Sequence, residues 1–273
     1  MEKVKSHIDE WLSFCQRSYS VATCRVYACV IRQLLQHISQ NGQKLSGESI
    51  ETFLDGKYKA GGSRREFNHY KNIISSFCNW RQRRYGIENP ANSIPKIREG
   101  KSTPRVLSPE EYKFIVDFVG EGMDRDILLF LGNTGIRKEE FRQLTWSCVD
   151  QQLKFVTIRG KGDKIRVVPC NATVREILLK YERLPDDQRL QIAAKYYGIE
   201  GSSWLCRRIF RKTGMKKFGS HAIRHYFATE LIRKGVSIYK VSRLLGHASV
   251  KITESLYIHL VPADLLGITD VLD

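Results

Sequence analysis

The sequence predicts a mainly α-helical chain with a small β-sheet, arranged as an N-terminal helical domain and a C-terminal α+β domain. Three observations predict this. Apolar residues recur at helical spacing through the first ninety or so residues, with almost no β-branched alternation. Residues 89–105 hold three prolines and no apolar period, the composition of a hinge. Beyond the hinge, two β-branched runs, FVTIR and KIRVVP, flank a turn of Gly160, Lys161, Gly162 and Asp163.

The elements follow in order. From about Lys3 to Cys15, the residues Val4, Ile8, Trp11, Leu12 and Cys15 fall on one helical face. A second helix runs from Ser20 to about Gln40, carries Tyr27, Ile31, Leu34, Leu35 and Ile38, and stops at Asn41 and Gly42. A third, shorter one follows Ser46. The fourth opens at Ser63 with Glu66 at capping-box spacing, presents Tyr70, Ile73, Ile74, Phe77 and Trp80, and ends at Gly86 and Pro90. These place a first domain at 1–90, a linker at 91–105 and a second domain at 106–273. The second restarts sharply, since Ser108, Pro109 and Glu111 supply an N-cap, a first-turn proline and a capping glutamate. Gly135 should end the apolar helix DILLFLGNTG and let Arg137 project from the next turn. Leu144 and Trp146 read as core. His221 and Arg224, three apart in a helix, share a face.

Size and charge narrow the function. A chain of 273 residues is long enough for two modest cores. Its 45 Lys and Arg against 29 Asp and Glu leave a net charge of +16, spread along the chain, which suits a polyanionic partner. No stretch approaches the roughly 20 apolar residues of a membrane span, and MEKVKSHIDEW lacks a signal-peptide core, so a cytoplasmic location without membrane attachment is expected. Seven scattered cysteines without a CxxC spacing read as reduced thiols. No His/Cys spacing suits zinc and no acidic pair suits a magnesium nuclease, so neither metal nor cofactor is expected. Nucleotide-binding and GxSxG patterns are also absent.

What remains is a series of charged and nucleophilic residues in the second half. They are Arg137 in NTGIRKEEFRQLTW, Lys161 in IRGKGDKIRVVP, His221 and Arg224 in HAIRHYFATELIRKG, and His247 and Tyr257 in LLGHASVKITESLYIH. A planar guanidinium donates two parallel hydrogen bonds to phosphate oxygens, and an imidazole with a pKa near 6.5 can donate or accept at neutral pH. A phenol with a pKa of about 10 becomes nucleophilic only where cations stabilise its anion. Together they describe a site for breaking a phosphodiester.

In order and local sequence these residues resemble the tyrosine recombinase (phage integrase) family, closely over roughly 105 to 260 and only in general character before that. The resemblance implies a SAM-like N-terminal core-binding domain and a C-terminal catalytic domain. It implies Tyr257 as nucleophile, Lys161 as general acid, and Arg137, Arg224 and His247 on the phosphate. His221 would assist proton transfer at the tyrosine, and Glu140 would support the basic groups. Tyr257 follows His247 by ten positions where many members have nine, a variant associated with integrases of conjugative transposons. Ile258 and His259 complete the usual tyrosine, variable, histidine ending. Tyr226 and Tyr239 lie upstream of LLGH, and His225 keeps a structural reading.

Further implications concern partners. Arg25, Arg32, Arg64, Arg65, Lys71 and Arg81 in the first domain, with Lys164 and Arg166 in the second, are expected to bind double-stranded DNA at specific core sites. Members assemble as homotetramers on DNA, and the tail VPADLLGITDVLD suits exchange into a neighbouring subunit; accessory DNA-bending proteins are possible partners. Two-domain relatives of the chromosome-resolution and integron type act on simple inverted repeats. Two other readings stay open: nicking and closing of the type IB topoisomerase kind, and DNA binding without chemistry.

Overall fold

The computed structural model describes residues 2–100, 105–160, 163–181 and 201–257; in the last block, side chains are described from 205 to 254. The chain divides into two compact units, Met1–Lys101 and Ser102–Asp273.

The first unit is four helices, α1 (Glu2–Ser18), α2 (Val21–Gln40), α3 (Gly47–Lys59) and α4 (Arg64–Tyr85). Serines start three of them. Ser20, Ser46 and Ser63 each accept a hydrogen bond from the backbone N–H three residues on, satisfying a donor with no helical partner. The reciprocal bond that completes a capping box is made by Ser49, not by Glu66. Trp11, Ile31, Leu34, Leu54, Ile74 and Phe77 fill the core. Gly86, at φ 69°, ends α4 in the left-handed region.

Two sequence expectations are corrected in this unit. Residues 91–99 are not a free linker: a 3-10 turn, Pro90–Ser93, buries Ala91, and Ile94 is buried just after it. Asn68 then clasps Ile97, donating to its carbonyl at 2.8 Å and accepting from its N–H at 2.9 Å. Arg81 is not on the polar face. It lies four residues after Phe77 and seven after Ile74, so the helical period turns it inward, where its Nε donates to His7 Nδ1 at 3.2 Å. Burial and Arg81 both lower the pKa of His7, and Tyr85 stacks on its ring at 4.0 Å.

The second unit contains α5 (Pro109–Phe118), α6 (Met123–Thr134), α7 (Lys138–Arg142), β1 (Phe155–Arg159), β2 (Ile165–Pro169), α8 (Ala172–Lys180), α9 (Gly201–Thr213), α10 (Ser220–Arg233), α11 (Ile238–Leu245) and α12 (Val250–Tyr257). Helix α6 is buried on most sides from Asp126 to Thr134, because it is central, packed by α5, α8 and α10. Gly132 lets α5 approach: a Cβ there would stand 1.9 Å from the Tyr112 hydroxyl, which donates to Leu128 O at 2.9 Å. The antiparallel hairpin pairs Val156 with Val168 and Ile158 with Arg166. Its inner face therefore carries Val156, Ile158 and Val168, with Arg166 in line with them. A small cluster of Phe227, Ala228, Ile232, Val241 and Leu245 joins α10 to α11. Among the described residues no helix is long and apolar enough to cross a membrane, and no group of His, Cys, Asp and Glu is gathered for a metal.

Candidate active site

Gly135, at φ 60°, ends α6 and turns the chain so that Arg137 becomes the N-cap of α7. Its backbone N–H donates to Glu140 Oε2 at 2.7 Å, and its guanidinium donates to Glu140 Oε1 at 2.8 Å. Arg224, buried on α10, donates to Gly135 O and Leu245 O, each at 2.6 Å. Arg166 on β2 forks onto both Glu140 oxygens at 2.9 and 2.7 Å and donates through Nε to Leu244 O at 2.8 Å.

These contacts share one anchor. Leu244, Leu245 and Gly246 form the C-terminal end of α11, where carbonyls lack helical partners and the helix dipole is negative. Each carbonyl takes one arginine: Arg166 on Leu244, Arg224 on Leu245, and Arg137 on Gly246 at 3.3 Å. Gly246 has φ 65°, and a Cβ there would meet Arg166 Cδ at 2.8 Å, so glycine is required for both conformation and contact. The LLG of the LLGH motif thus positions the guanidiniums, and His247 follows directly.

The electrostatics are one-sided. Glu140 is the sole carboxylate among these groups; burial would raise its pKa, but hydrogen bonds from Arg166 and Arg137 outweigh that and pull it down to about 2. It stays ionised and offsets Arg137 and Arg166. Burial, then Arg224 and Arg137, lowers His247 to about 4. His225 is brought to about 4 by burial, His221 and Arg224. His221, at the exposed mouth, is lowered by desolvation within the cleft and by Arg224, Arg137 and Lys138. At neutral pH the imidazoles are neutral and the arginines carry the charge. His247 Nδ1 stands 2.7 Å from the hydroxyl of Thr253 on α12.

Arg137, Arg166, His221, Arg224 and His247 line one cleft of about 1220 Å³, with His225, Lys164, Lys240 and Arg243 on the same wall. Its lining is rich in fixed donors and carries little negative charge, a combination that suits an anion. Lys161 lies outside the described residues, but Gly160 and Lys164 on either side of the hairpin turn line the cleft. Tyr257 is the last residue of α12, one turn beyond Thr253; its side chain lies outside the described residues. Of the other tyrosines considered, Tyr226 stacks on Tyr112 at 4.1 Å and Tyr239 is largely exposed on α11.

The basic residues expected on surfaces divide. Lys164 is exposed at the cleft, and Arg25 and Arg32 line a groove of about 630 Å³ in the first unit. Arg64 and Arg65 are exposed and Lys71 is half-buried. Arg166 is corrected: with all three guanidinium nitrogens engaged inside the unit, it organises the site instead of standing free for DNA. The alternation of β2 was the available signal, because Arg166 is two residues before the buried Val168. Sequence reasoning also left out Thr253 and assigned His225 no place in the cleft. A threonine in a helix carries no such signal.

The chain matches the model of the phage integrase family over residues 105–263, more than half its length. It is 28% identical to the tyrosine recombinase XerA of Thermococcus onnurineus, across 93% of this chain and 91% of the relative. It is 27% identical to the tyrosine recombinase XerC of Bacillus pumilus, across 89% and 88%. In structure it is similar to a lambda integrase dimer bound to a COC′ core site (TM-score 0.73, 18% identity, covering 91% of this chain and 96% of that one). It is likewise similar to the Tn1549 transposon integrase in complex with circular intermediate DNA (TM-score 0.72, 17% identity, covering 92% and 93%). The chain therefore belongs to the phage integrase family: it is a tyrosine recombinase, a DNA strand-exchange enzyme.

Proposed function

We propose that this recombinase cleaves and rejoins DNA at two specific core sites through a covalent 3′-phosphotyrosine, using neither metal nor ATP. The Tyr257 phenol oxygen attacks the scissile phosphorus, its proton passing toward His221. The bond to the 5′ oxygen breaks as Lys161 protonates that leaving group. Phosphate ester energy is kept in the tyrosyl linkage, so a 5′ hydroxyl from the partner duplex reverses the step with strands exchanged. Arg137, Arg224 and His247 bind the non-bridging oxygens, and the charge that develops on them meets donors already fixed in place.

The observation that carries this reading is the seating of Arg137 and Arg224 beside His247 on the carbonyls that end α11. Two guanidiniums held on backbone oxygens cannot follow an anion as it moves. They favour the charge-rich pentavalent state over the ground state. The exposed cations of the first unit, with Lys164, supply further phosphate contacts to duplex DNA, and the tail beyond α12 would join protomers into a tetramer. Similarity over about nine-tenths of the chain to tyrosine recombinases named XerA and XerC supports the recombination reading.

The test is a supercoiled plasmid carrying two copies of a site recovered by sequencing DNA that the protein protects. Recombinant circles support the proposal. Relaxation without recombinants moves the enzyme to nicking and closing of the topoisomerase kind, and binding without either product moves it to a DNA-binding role.

A further inference from the structure

Thr253 is completely buried on α12, and its hydroxyl oxygen lies 2.7 Å from His247 Nδ1. A threonine inside a helix commonly turns its hydroxyl back to the carbonyl one turn earlier. Here the hydroxyl meets the imidazole of the preceding loop. With Nδ1 occupied, Nε2 is the ring nitrogen left for the cleft that His247 lines.

A neutral imidazole has one N–H, and its position decides what the ring offers an anion. With the proton on Nδ1, Nε2 would present a lone pair to phosphate oxygens and repel them. With the proton on Nε2, the ring donates. The neighbour at Nδ1 biases that choice, and a hydroxyl that gives its proton to Nδ1 leaves the ring proton on Nε2. A hydroxyl can do so without adding a negative charge to the one that Glu140 already brings to Arg137 and Arg166.

We propose that Thr253 is a positioning residue for strand cleavage: its hydroxyl donates to Nδ1 of His247, which fixes the imidazole proton on Nε2 and turns that N–H toward a phosphate oxygen in the cleft. This rests on reading the cleft as the site of the scissile phosphate. It also gives α12 a second duty. The helix that ends at Tyr257 holds, one turn earlier, the group that sets the state of His247.

The test uses the full chain carrying nitrogen-15-labelled histidine, with His247 signals assigned by their loss in His247→Gln. The expected spectrum has the proton on Nε2 and an unprotonated, hydrogen-bonded Nδ1, in the free protein and with duplex DNA. Thr253→Ser should retain it. Thr253→Val, which keeps the shape and removes the hydroxyl, should give averaged tautomers. Covalent capture of a nicked duplex by Thr253→Val should slow about tenfold, the scale of one lost hydrogen bond, while Thr253→Ser restores most of the rate and duplex affinity stays within about twofold. A wild-type ring protonated on Nδ1 would overturn the proposal. So would a Thr253→Val protein with the wild-type tautomer and rate. If Thr253→Val melts early, Thr253→Ser against Thr253→Ala makes the same comparison. If the wild type captures no duplex at all, the cleavage reading has failed, and the ring spectrum still decides the role of Thr253.

Discussion

Arg224 shows how much of this site depends on single side chains. Its guanidinium spans two carbonyls, Gly135 O after α6 and Leu245 O at the end of α11. A lysine is a point charge and reaches one of them at most. Arg224→Lys should lower the rate of covalent capture by about 10²- to 10³-fold, as loss of one preorganised donor does, with a much smaller change in duplex affinity. Single-turnover capture beside gel retardation checks this; equal losses in both would mean that Arg224 only binds. The histidines give a pH signature. A histidine with a folded pKa of about 4 and an unfolded value near 6.5 binds fewer protons when folded, so its stabilisation is complete above about pH 6.5 and is lost as pH falls toward 4. Urea midpoints should fall over that window, and less steeply in His225→Gln; parallel curves for the two proteins would contradict it. The gathering of Arg137, His221, Arg224 and His247 in one cleft was legible from their order and local setting along the chain. The partners were not, since Glu140–Arg166 and His247–Thr253 are contacts made by the fold.

At the scale of elements, the end of α11 organises the cleft. Three arginines from the loop after α6, from β2 and from α10 converge on its last carbonyls, so its glycine cannot be replaced quietly. Gly246→Ala forces a side chain into φ 65° and against Arg166, and should cost about 1 to 3 kcal/mol in urea unfolding while slowing capture. A variant as stable and active as wild type would show that the end of α11 does not hold the arginines. Most elements could be read in advance, because Ser20, Ser46, Ser63 and Ser108 mark helix starts and Gly86 and Gly135 mark ends. The failures share a cause. Arg81 and Arg166 obey the period of their own elements, but their charge argued for the surface and overrode it. Residues 91–99 follow no period, so nothing short of Asn68 and the first-unit core could reveal where they pack.

For the whole molecule, two units with separate cores suit an enzyme that meets a duplex at more than one place, and a net charge of +16 supplies the attraction. The expected exchange segment, VPADLLGITDVLD at 261–273, lies outside the described residues. A chain truncated after His259 should bind a single core site normally and fail to form the tetrameric complex on DNA, read by gel filtration with and without duplex. Unchanged assembly would place the contacts between protomers elsewhere.

On the proposed mechanism this cleft breaks a phosphodiester through Tyr257. The most direct test is a labelled duplex with a nick beside the core site, which traps the cleaved strand, incubated without added metal and run on a denaturing gel beside Tyr257→Phe. Protein linked to a 3′ DNA end is expected in the wild type and none in the variant. An adduct that persists in Tyr257→Phe would contradict the mechanism, because another residue would then be the nucleophile.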